Sequence, residues 1–381
     1  MRIAVPVEQQ PGEARVALVP ESVKKLVATG VEVGVEPSAG ERAGYLDDDY
    51  KAVGASIMDR ATLLRGTDLL VCVNRPEPAD FANLKAGAVV IGFLKPLDEP
   101  AALEPIVGRQ LSAFAMELVP RITRAQSMDA LSSMATVAGY KAVIMAADRL
   151  PRMFPLLMTA AGTVPPAKVL VLGAGVAGLQ AIATARRLGA VVEAYDVRAA
   201  AGQDVKSLGA KFIEVDLGGI ETQDAGGYTK ELSPEALKLG RDIVAKRAAQ
   251  SDVIITTAQI PGRKAPLMLT EEAVDSMRPG TIIIDLAAAT GGNCAYTQPG
   301  TEVNRHGVTI LGPLNVPATV PGHASQLYSR NITTFLGLMN DKGNLKIDIA
   351  DEILKGACVA FQGGNVHPKV AAALGHTVAT N

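Results

Sequence analysis

The chain has 381 residues, of which 48% are hydrophobic and 20% charged, with a formal net charge of −2 at pH 7. This composition excludes a disordered chain, and the near balance of 37 basic and 39 acidic residues argues against binding to nucleic acid or anionic membranes. Its three cysteines, Cys72, Cys294 and Cys358, fit no disulfide framework or metal spacing and indicate a reducing cytoplasm. We expect no signal peptide, because Arg2 and Glu8 interrupt the opening, and no membrane-spanning run of about 18 apolar residues.

Short runs rich in Val, Ile and Leu alternate with helical patterns along the chain, which predicts parallel sheets with crossover helices. Nearest the N-terminus, the predicted strands are RIAVP, VEVGVE, DLLVCV, AVVIGF and SAFAME. Between the first two, the segment PESVKKLVATG places Val23, Leu26 and Val27 on one helical face, and Gly30 ends this predicted helix.

A long helical pattern, from about Ser127 to Leu150, precedes a second set of strands. These are KVLVLG, VVEAYD, KFIEVD, DVIITT, TIIIDL and GVTIL, enough for a complete doubly wound unit. The sequence therefore predicts an α/β fold of two Rossmann-like domains joined by long helices. Because the helix SQLYSRNITTFLGLMN follows the completed unit, the C-terminal segment is expected to return to the first domain. The predicted domains are residues 1–126 plus 316–381, and residues 127–315 including the linking helix.

Three glycines, Gly173, Gly175 and Gly178, have G-x-G-x-x-G spacing after an apolar strand and at the start of a helix. An acidic residue, Asp196, ends the next strand, so the full context of a dinucleotide site is present. The first glycine permits a tight turn, the second lets the backbone approach a pyrophosphate, and the third allows close helix–strand packing. The free N–H groups of the helix N-terminus would face the phosphates.

The strand-end acid, Asp196, is expected to bind the adenosine ribose hydroxyls and to repel a 2′-phosphate, which favours NAD(H) over NADP(H). A nearby arginine, Arg198, leaves the opposite preference open, because an arginine at this point can hold a 2′-phosphate. In TTAQIPG, Thr257 and Gln259 are candidates to reach ribose or nicotinamide, unless this segment is a simple Pro-Gly turn. The candidate nucleotide-binding residues are Gly173, Gly175, Val176, Gly178, Asp196, Val197, Arg198, Gly227, Thr257 and Gln259.

A dehydrogenase that oxidises an alcohol or amine needs a side chain near the nicotinamide that moves a proton. The chain has four histidines, and none has a sequence position that favours this role. His306 precedes a strand of the dinucleotide unit, at the edge away from the crevice. The other three, His323, His367 and His376, lie in the C-terminal segment, and we expect structural or solvated roles for all four.

The segments MRIAVPVEQQPGEARVALVP, DVIITTAQIPG and IIIDLAAATGGN, with the glycine motif, resemble the framework shared by alanine dehydrogenase and the NAD(H)-binding component of proton-translocating NAD(P) transhydrogenase. The resemblance covers essentially the whole chain. It implies that Cys72 stands where alanine dehydrogenases have a substrate-binding lysine. It likewise implies that Lys95 lies in the segment of their catalytic histidine, and Ala289 at their catalytic aspartate. These departures imply loss of amino-acid oxidation, although Arg15 of the framework is kept.

The stretch RITRAQSMDALSSM, from Arg121 to Met134, resembles the transhydrogenase component more closely. The resemblance implies a loop beside the nicotinamide, and it implies that AGGYTKEL, in the polar segment Asp216–Ala236, is a mobile loop that closes on the nucleotide. The catalytic residues so implied are Arg121, Gln126, Asp129, Ser132 and Tyr228. One departure is Met134, where relatives often carry glutamine. From its residues alone, the stretch could equally be an exposed loop leading into a capped helix.

Direct hydride transfer between two nicotinamides needs no proton abstraction, only two rings held about 3–3.5 Å apart. One glycine fingerprint implies one dinucleotide, NAD(H), so NADP(H) must be held by a partner subunit. The resemblance implies a homodimer on the inner face of the membrane, attached through NADP-binding and membrane-spanning subunits that couple transfer to proton translocation. Because the sequence stops at Asn381, we expect a split subunit. The alternatives are an alanine dehydrogenase-like oxidoreductase and an NAD-sensing binding module. No metal is expected.

Overall fold

The computed structural model describes residues 1–215, 234–260, 263–375 and 378. The chain forms two compact units: unit 1 is Met1–Met134 with Pro317–Asn381, and unit 2 is Ala135–Val316. The strands are β1 (Arg2–Val5), β2 (Glu32–Val35), β3 (Ser56–Ile57), β4 (Leu69–Asn74), β5 (Val89–Phe93), β6 (Ser112–Ala115), β7 (Leu157–Thr159), β8 (Gly162–Val164), β9 (Lys168–Leu172), β10 (Val191–Tyr195), β11 (Lys211–Phe212), β12 (Val253–Thr256), β13 (Ile282–Asp285), β14 (Glu302–Arg305), β15 (Val308–Leu311), β16 (Asn340–Asp341), β17 (Asn344–Leu345), β18 (Cys358–Phe361) and β19 (Gly364–Asn365).

The helical elements connect these strands in the order expected of crossover units. The α-helices are α1 (Pro20–Val27), α2 (Asp47–Ala52), α3 (Arg60–Arg65), α4 (Pro78–Asn83), α5 (Glu104–Gly108), α6 (Ala130–Arg149), α7 (Val176–Arg187), α8 (Ala201–Ser207), α9 (Pro234–Ala248), α10 (Glu271–Asp275), α11 (Pro321–Leu336), α12 (Glu352–Ala357) and α13 (Pro368–Ala373). Short 3₁₀ helices span Glu41–Ala43, Pro100–Leu103, Met116–Leu118, Thr123–Met128, Ala288–Thr290 and Val316–Thr319.

Unit 1 is built on a sheet with the strand order β19-β18-β6-β5-β4-β1-β2-β3. The predicted strands are all present and pair in parallel, and Leu69–Val73 of β4 is fully buried, as expected of a central strand covered on both faces. The C-terminal segment returns to this unit as predicted. It also adds antiparallel strands β18 and β19, which were not predicted, because short segments such as CVAF carry too little periodicity.

Unit 2 is built on a second sheet with the order β11-β10-β9-β12-β13-β15-β14. The predicted strands are present, but the sheet is not complete at six, because Glu302–Arg305 adds an antiparallel edge strand. This edge strand was missed because its side chains are exposed or half-buried, so it lacks an apolar face. The predicted strand KFIEVD is also shorter than expected. Only Lys211–Phe212 pairs, and it has a single neighbour at the sheet edge.

The register of unit 2 aligns the carboxyl ends of its central strands. Leu172 of β9 lies opposite both Tyr195 of β10 and Thr256 of β12. The next residues of the three strands therefore begin their loops side by side, and hydrogen bonds join Gly173 N–H to the Tyr195 carbonyl and Thr257 N–H to the Leu172 carbonyl at 2.8 Å each. In a parallel sheet, this edge is where ligands bind.

The long helix α6 begins after the predicted start, since Thr123–Met128 forms a 3₁₀ turn before it. Among the described residues it is the one helix long and apolar enough to cross a membrane, with a mean hydropathy of 1.3 over its best window. The sequence analysis found no such run, because Lys141 and Asp148 interrupt the helix. A core helix passes the same test, and Val143 and Ala146 are buried in the core of unit 2.

Candidate functional site

The glycine loop between β9 and α7 has a physical reason for each of its glycines. Gly173 has a φ of 98°, a conformation that favours glycine. A Cβ on Gly178 would overlap the Gly173 carbonyl, so only glycine lets α7 pack this closely. A Cβ on Gly175 would meet no atom within 4 Å, so the protein does not require glycine there. That open space precedes the N-terminus of α7, where Val176 is exposed and no side chain caps the helix.

This geometry fits a pyrophosphate. The uncapped end of α7 leaves backbone N–H groups in need of acceptors, and the helix dipole favours a negative charge there. The absence of a Cβ at Gly175 keeps the approach open. A glycine that no protein atom requires is explained by a ligand that comes close to the backbone.

At the end of β10, Asp196 is buried, with 9% of its surface exposed. One carboxylate oxygen accepts the backbone N–H and Nε–H of Arg198 at 2.8 and 2.9 Å. The other accepts the N–H of Ala174 at 2.7 Å and Nη2–H of Arg198 at 2.8 Å. Asp196 thus ties the glycine loop to the end of its own strand. Between Asp196 and Arg198 in sequence, Val197 is half-buried against the core of unit 2.

After β12, the candidate residues Thr257 and Gln259 are held by backbone groups of unit 2. The Thr257 hydroxyl donates to the Gly173 carbonyl at 3.1 Å, so this side chain supports the glycine loop. The exposed Gln259 donates its amide to the Leu286 carbonyl at 2.7 Å. The structure therefore brings the glycines, Asp196, Thr257 and Gln259 together at one sheet edge. Their contacts with a nucleotide remain predictions.

Two residues that fix this edge were missed in the sequence. Asp285, at the end of β13, is fully buried and accepts hydrogen bonds from Thr256, Ala287, Asn293, Cys294 and Thr297. The buried Asn293 donates to the Ala258 carbonyl at 2.9 Å and the Pro266 carbonyl at 2.8 Å, and accepts the Ala258 N–H at 3.1 Å. The signal available in the sequence was an acid at a strand end and an asparagine after Gly291–Gly292.

In unit 1, the residues before α6 form the cap of that helix. Asp129 accepts the Ser132 N–H at 2.8 Å and the Ser132 hydroxyl at 2.6 Å, which is the pairing of a helix N-terminus. Gln126 and Arg121 are exposed. The capped-helix interpretation of this stretch is thus present in the geometry. A capping role does not prevent ligand contact, so the nicotinamide role of these residues stays a prediction.

A second polar cluster lies at the strand ends of unit 1. Arg15 and Glu13 are both buried and form a two-point ion pair, with Nε–Oε1 at 2.8 Å and Nη2–Oε2 at 2.6 Å. Asn74 donates to Glu13 at 2.8 Å and to Glu8 at 3.3 Å. Burial raises the pKa of Glu8 to about 7. The sulfur of Met134 accepts from Arg15 at 3.2 Å, so the residue that replaces the relatives' glutamine still faces the guanidinium.

The positions at which alanine dehydrogenases are expected to carry catalytic groups are chemically quiet here. Cys72 is buried, and burial raises the pKa of its thiol well above the ordinary value. Lys95 is exposed and pairs with Glu99 at 3.4 Å. Ala289 lies in the 3₁₀ turn after β13. The described residues of the chain contain no group of three or more His, Cys, Asp or Glu side chains that could hold a metal ion.

The predicted residues Gly227 and Tyr228, and most of the segment Asp216–Ala236, lie outside the described residues. The remaining predicted site residues are therefore assigned to two places: the sheet edge in unit 2 and the start of α6 in unit 1.

Comparison with known proteins decides the family. The profile described as "Alanine dehydrogenase/PNT, N-terminal domain" matches residues 4–138, and that described as "Alanine dehydrogenase/PNT, C-terminal domain" matches residues 142–368. The chain belongs to the alanine dehydrogenase/PNT family. The resemblance found in the sequence is confirmed, and so is the α/β, Rossmann-like fold.

Within the alanine dehydrogenase/PNT family, the chain is similar to proteins named as transhydrogenase subunits. It is 50% identical over 377 residues to an NAD(P) transhydrogenase subunit alpha protein of Rhodospirillum rubrum, covering 97% of this chain and 98% of that protein. A crystal structure of transhydrogenase from Sinorhizobium meliloti is 44% identical with a TM-score of 0.88, covering 96% of this chain and 100% of that one. Alanine dehydrogenase 2 of Staphylococcus aureus is 30% identical, covering 89% of this chain and 87% of that protein.

Proposed function

We propose that this chain is the NAD(H)-binding component of a proton-translocating NAD(P) transhydrogenase. NADH bound here would supply the hydride, and NADP⁺ bound on a partner subunit would receive it. The observation that carries the proposal is the dinucleotide fingerprint of unit 2, with open space at Gly175 and a buried acid at Asp196. The 50% identity to a transhydrogenase subunit, against 30% to an alanine dehydrogenase, supports the same assignment.

The residues of unit 2 bind and hold the nucleotide in this proposal. The N-terminus of α7 binds the pyrophosphate, and Asp196 accepts the ribose hydroxyls. Thr257 keeps the glycine loop in place through its 3.1 Å bond to Gly173. Asn293 holds the backbone of Ala258, beside Gln259, in a fixed conformation. Rigid placement matters because hydride transfer depends steeply on the distance and orientation of the reacting rings.

The residues before and within α6 are assigned to the nicotinamide by resemblance. Arg121, Gln126 and Asp129 would grip the carboxamide and ribose, with Ser132 held on Asp129 at 2.6 Å. Gly227 and Tyr228 would close over the nucleotide. None of these groups has to remove a proton, because the hydride passes directly between two nicotinamide rings.

The chemistry of the described loops of unit 2 supports hydride transfer without proton transfer. In residues 173–175, 196–200, 257–260 and 286–294, the titratable side chains are Asp196, Arg198 and Cys294. Asp196 is hydrogen-bonded through both oxygens, and burial raises the pKa of the Cys294 thiol to about 11. These loops thus present no group suited to act as a general base near neutral pH.

The test is hydride exchange between NADH on this chain and NADP⁺ on a purified NADP-binding partner domain, followed by stopped-flow absorbance. The Gln126→Asn variant should bind NADH nearly as the parent does but transfer hydride about 100-fold more slowly, the effect of about 1 Å of ring misplacement. Gln250→Asn, an exposed residue of unit 2, is the matched control. Transfer by Gln126→Asn at the parent rate would remove the nicotinamide role of this loop.

The alternative function is oxidation of alanine or a related amino acid, favoured by the retention of a buried Arg15. Here Glu13 already occupies that guanidinium at two points. We expect no NADH absorbance when the chain is mixed with L-alanine and NAD⁺. Steady NADH formation from L-alanine would favour the alternative over transhydrogenation.

We propose that the chain acts as a homodimer whose interface includes the hairpin of β7 and β8. This two-stranded sheet in unit 2 exposes apolar side chains: Met158 is 79% exposed, and Leu156 and Met153 are each 53% exposed. An isolated hairpin is marginally stable in water, and contiguous exposed apolar groups mark interaction surfaces. A second copy of the chain would cover these residues. The complex would then associate with NADP-binding and membrane-spanning subunits on the cytoplasmic face of the membrane.

The dimer is tested by the mass of the chain in solution. Met158→Asp should shift the molecule from dimer to monomer in analytical ultracentrifugation at micromolar concentration. Leu46→Asp, which changes an exposed leucine of unit 1, should leave the mass unchanged. A parent chain that sediments as a monomer at all concentrations would contradict the homodimer.

A further inference from the structure

The carboxylate of Asp196 has no acceptor site left for a ligand. An ionised carboxyl group offers about four lone-pair sites. Each oxygen of Asp196 already accepts two N–H groups: one takes the backbone and Nε donors of Arg198, and the other takes Ala174 N–H and Nη2–H of Arg198. A ribose hydroxyl can donate to Asp196 only after one of these donors has left.

The four donors differ in how easily they can leave. The N–H of Ala174 is fixed in the glycine loop, which is itself bonded to β10 through Gly173. The N–H of Arg198 belongs to the backbone that follows β10. The two guanidinium donors sit on a flexible side chain that is 21% exposed. Rotation of the Arg198 side chain would free one site on each oxygen without moving the backbone, and two freed sites match the two hydroxyls of a ribose.

The same pair also bears on a 2′-phosphate. Phosphate oxygens at neutral pH have little to donate to a carboxylate and are repelled by it. A guanidinium is well suited to binding a phosphate at two points, but Asp196 holds that of Arg198 by its Nε and Nη2 donors. Asp196 therefore opposes a 2′-phosphate twice, through its own charge and by occupying the arginine that would bind it.

We propose that Arg198 is an internal competitor for the ribose site of Asp196, and that this ion pair determines nucleotide choice. In the free chain the guanidinium occupies the carboxylate. NAD(H) displaces it, because ribose hydroxyls replace the guanidinium donors. NADP(H) is excluded as long as Asp196 keeps its charge. This inference rests on the proposed NAD(H) site in unit 2 and adds a specificity role for Arg198.

The experiment measures Kd values of the full chain for NADH and for NADPH by isothermal titration calorimetry. Arg198→Ala removes the competitor and should bind NADH about three- to tenfold more tightly than the parent, with NADPH still weak. Asp196→Asn removes the charge and releases the arginine, so it should bind NADPH at least about tenfold more tightly than the parent. The double variant Asp196→Asn/Arg198→Ala should lose that gain. Arg187→Ala, an exposed arginine of unit 2, controls for net charge.

Three outcomes would overturn the inference. Weaker or unchanged NADH binding by Arg198→Ala would show that the guanidinium does not compete for the ribose site. NADPH binding by Asp196→Asn no tighter than by the double variant would show that the released arginine does not bind the 2′-phosphate. A parent chain that binds neither nucleotide would remove the proposed function as well, whereas a parent that binds NADH with either of the first two results removes this inference alone. Thermal melting of each variant confirms that it is folded.

Discussion

Units 1 and 2 are built on similar parallel sheets, but their strand-end loops use polar groups differently. In unit 2, backbone N–H groups at the start of α7 face open space at Gly175. In unit 1, charged side chains close on one another, with Glu13 and Arg15 buried as a two-point pair. A parallel sheet supplies a crevice at its carboxyl edge, and the loops decide whether protein or ligand fills it.

The difference teaches where binding energy can come from. A buried ion pair has already lost its hydration and found its partner, so an incoming ligand gains little from either group. Uncapped N–H groups at a helix end still need acceptors, so an anion gains directly from them. We therefore expect variants of the unit 1 cluster to change stability, and variants of the unit 2 loop to change binding.

The largest expected effect is on the buried pair of unit 1. Glu13→Gln leaves Arg15 as an uncompensated buried charge, which should cost about 3–5 kcal/mol of unfolding free energy in that unit. Hydrogen exchange of β4 reports on unit 1, and β9 serves as the reference in unit 2. The control is Glu32→Gln, because its pair with Arg2 is exposed and should be worth less than about 1 kcal/mol. Protection of β4 unchanged in Glu13→Gln would break the contrast between the two units.

The glycine loop of unit 2 gives the next effect and separates packing from binding. Gly178→Ala places a Cβ against the Gly173 carbonyl and should destabilise unit 2 by about 1–3 kcal/mol. Gly175→Ala meets no protein atom, so its melting temperature should equal that of the parent while its NADH affinity falls. Calorimetric titration and thermal melting test both. Normal NADH affinity in a folded Gly175→Ala protein would mean that the open space does not receive the pyrophosphate.

A third variant tests the support of the neighbouring loop. Asn293→Ala leaves the Ala258 N–H and the carbonyls of Ala258 and Pro266 without their partner, which should cost about 2 kcal/mol. Asn304→Ala removes a single bond to Gly307 in an exposed hairpin and should cost less. The comparison uses hydrogen exchange of β12. Equal effects of the two variants would show that the Asn293 network does not hold this loop.

The smallest expected effect is a pH dependence confined to unit 1. Burial raises the pKa of Glu117 from 4.5 to about 7, and its Oε2 has no hydrogen-bond partner among the described residues. A raised folded-state pKa contributes stability that is present below the unfolded value and is lost as pH rises through about 7.

Glu117→Gln keeps the neutral form, so near pH 8 it should be more stable than the parent by about 1 kcal/mol, after discounting for partial exposure. Near pH 5 the two proteins should converge. Denaturation of unit 1 followed at both pH values checks the sign. A variant equally destabilised at both would show that Glu117 is charged in the folded chain.

The sequence by itself determined most of the fold and the place of the nucleotide loop. Alternating apolar runs located the central strands of both sheets, because a buried strand must be apolar along its length. The spacing of Gly173, Gly175 and Gly178 identified the turn into α7, since φ and close packing at these positions are local requirements. Asp196 was placed at a strand end for the same local reason.

Only the tertiary structure decided which groups are partners. β18 follows a short run with little period, and its place beside β6 depends on pairing with a strand far away in the chain. Asn293 meets Ala258 because β12 and β13 are in register, which no local pattern records. Arg198 lies two residues from Asp196, yet its occupation of the carboxylate appears only when rotamers are fixed. Periodicity reports which face of an element is buried, whereas hydrogen-bond partners depend on how distant elements align.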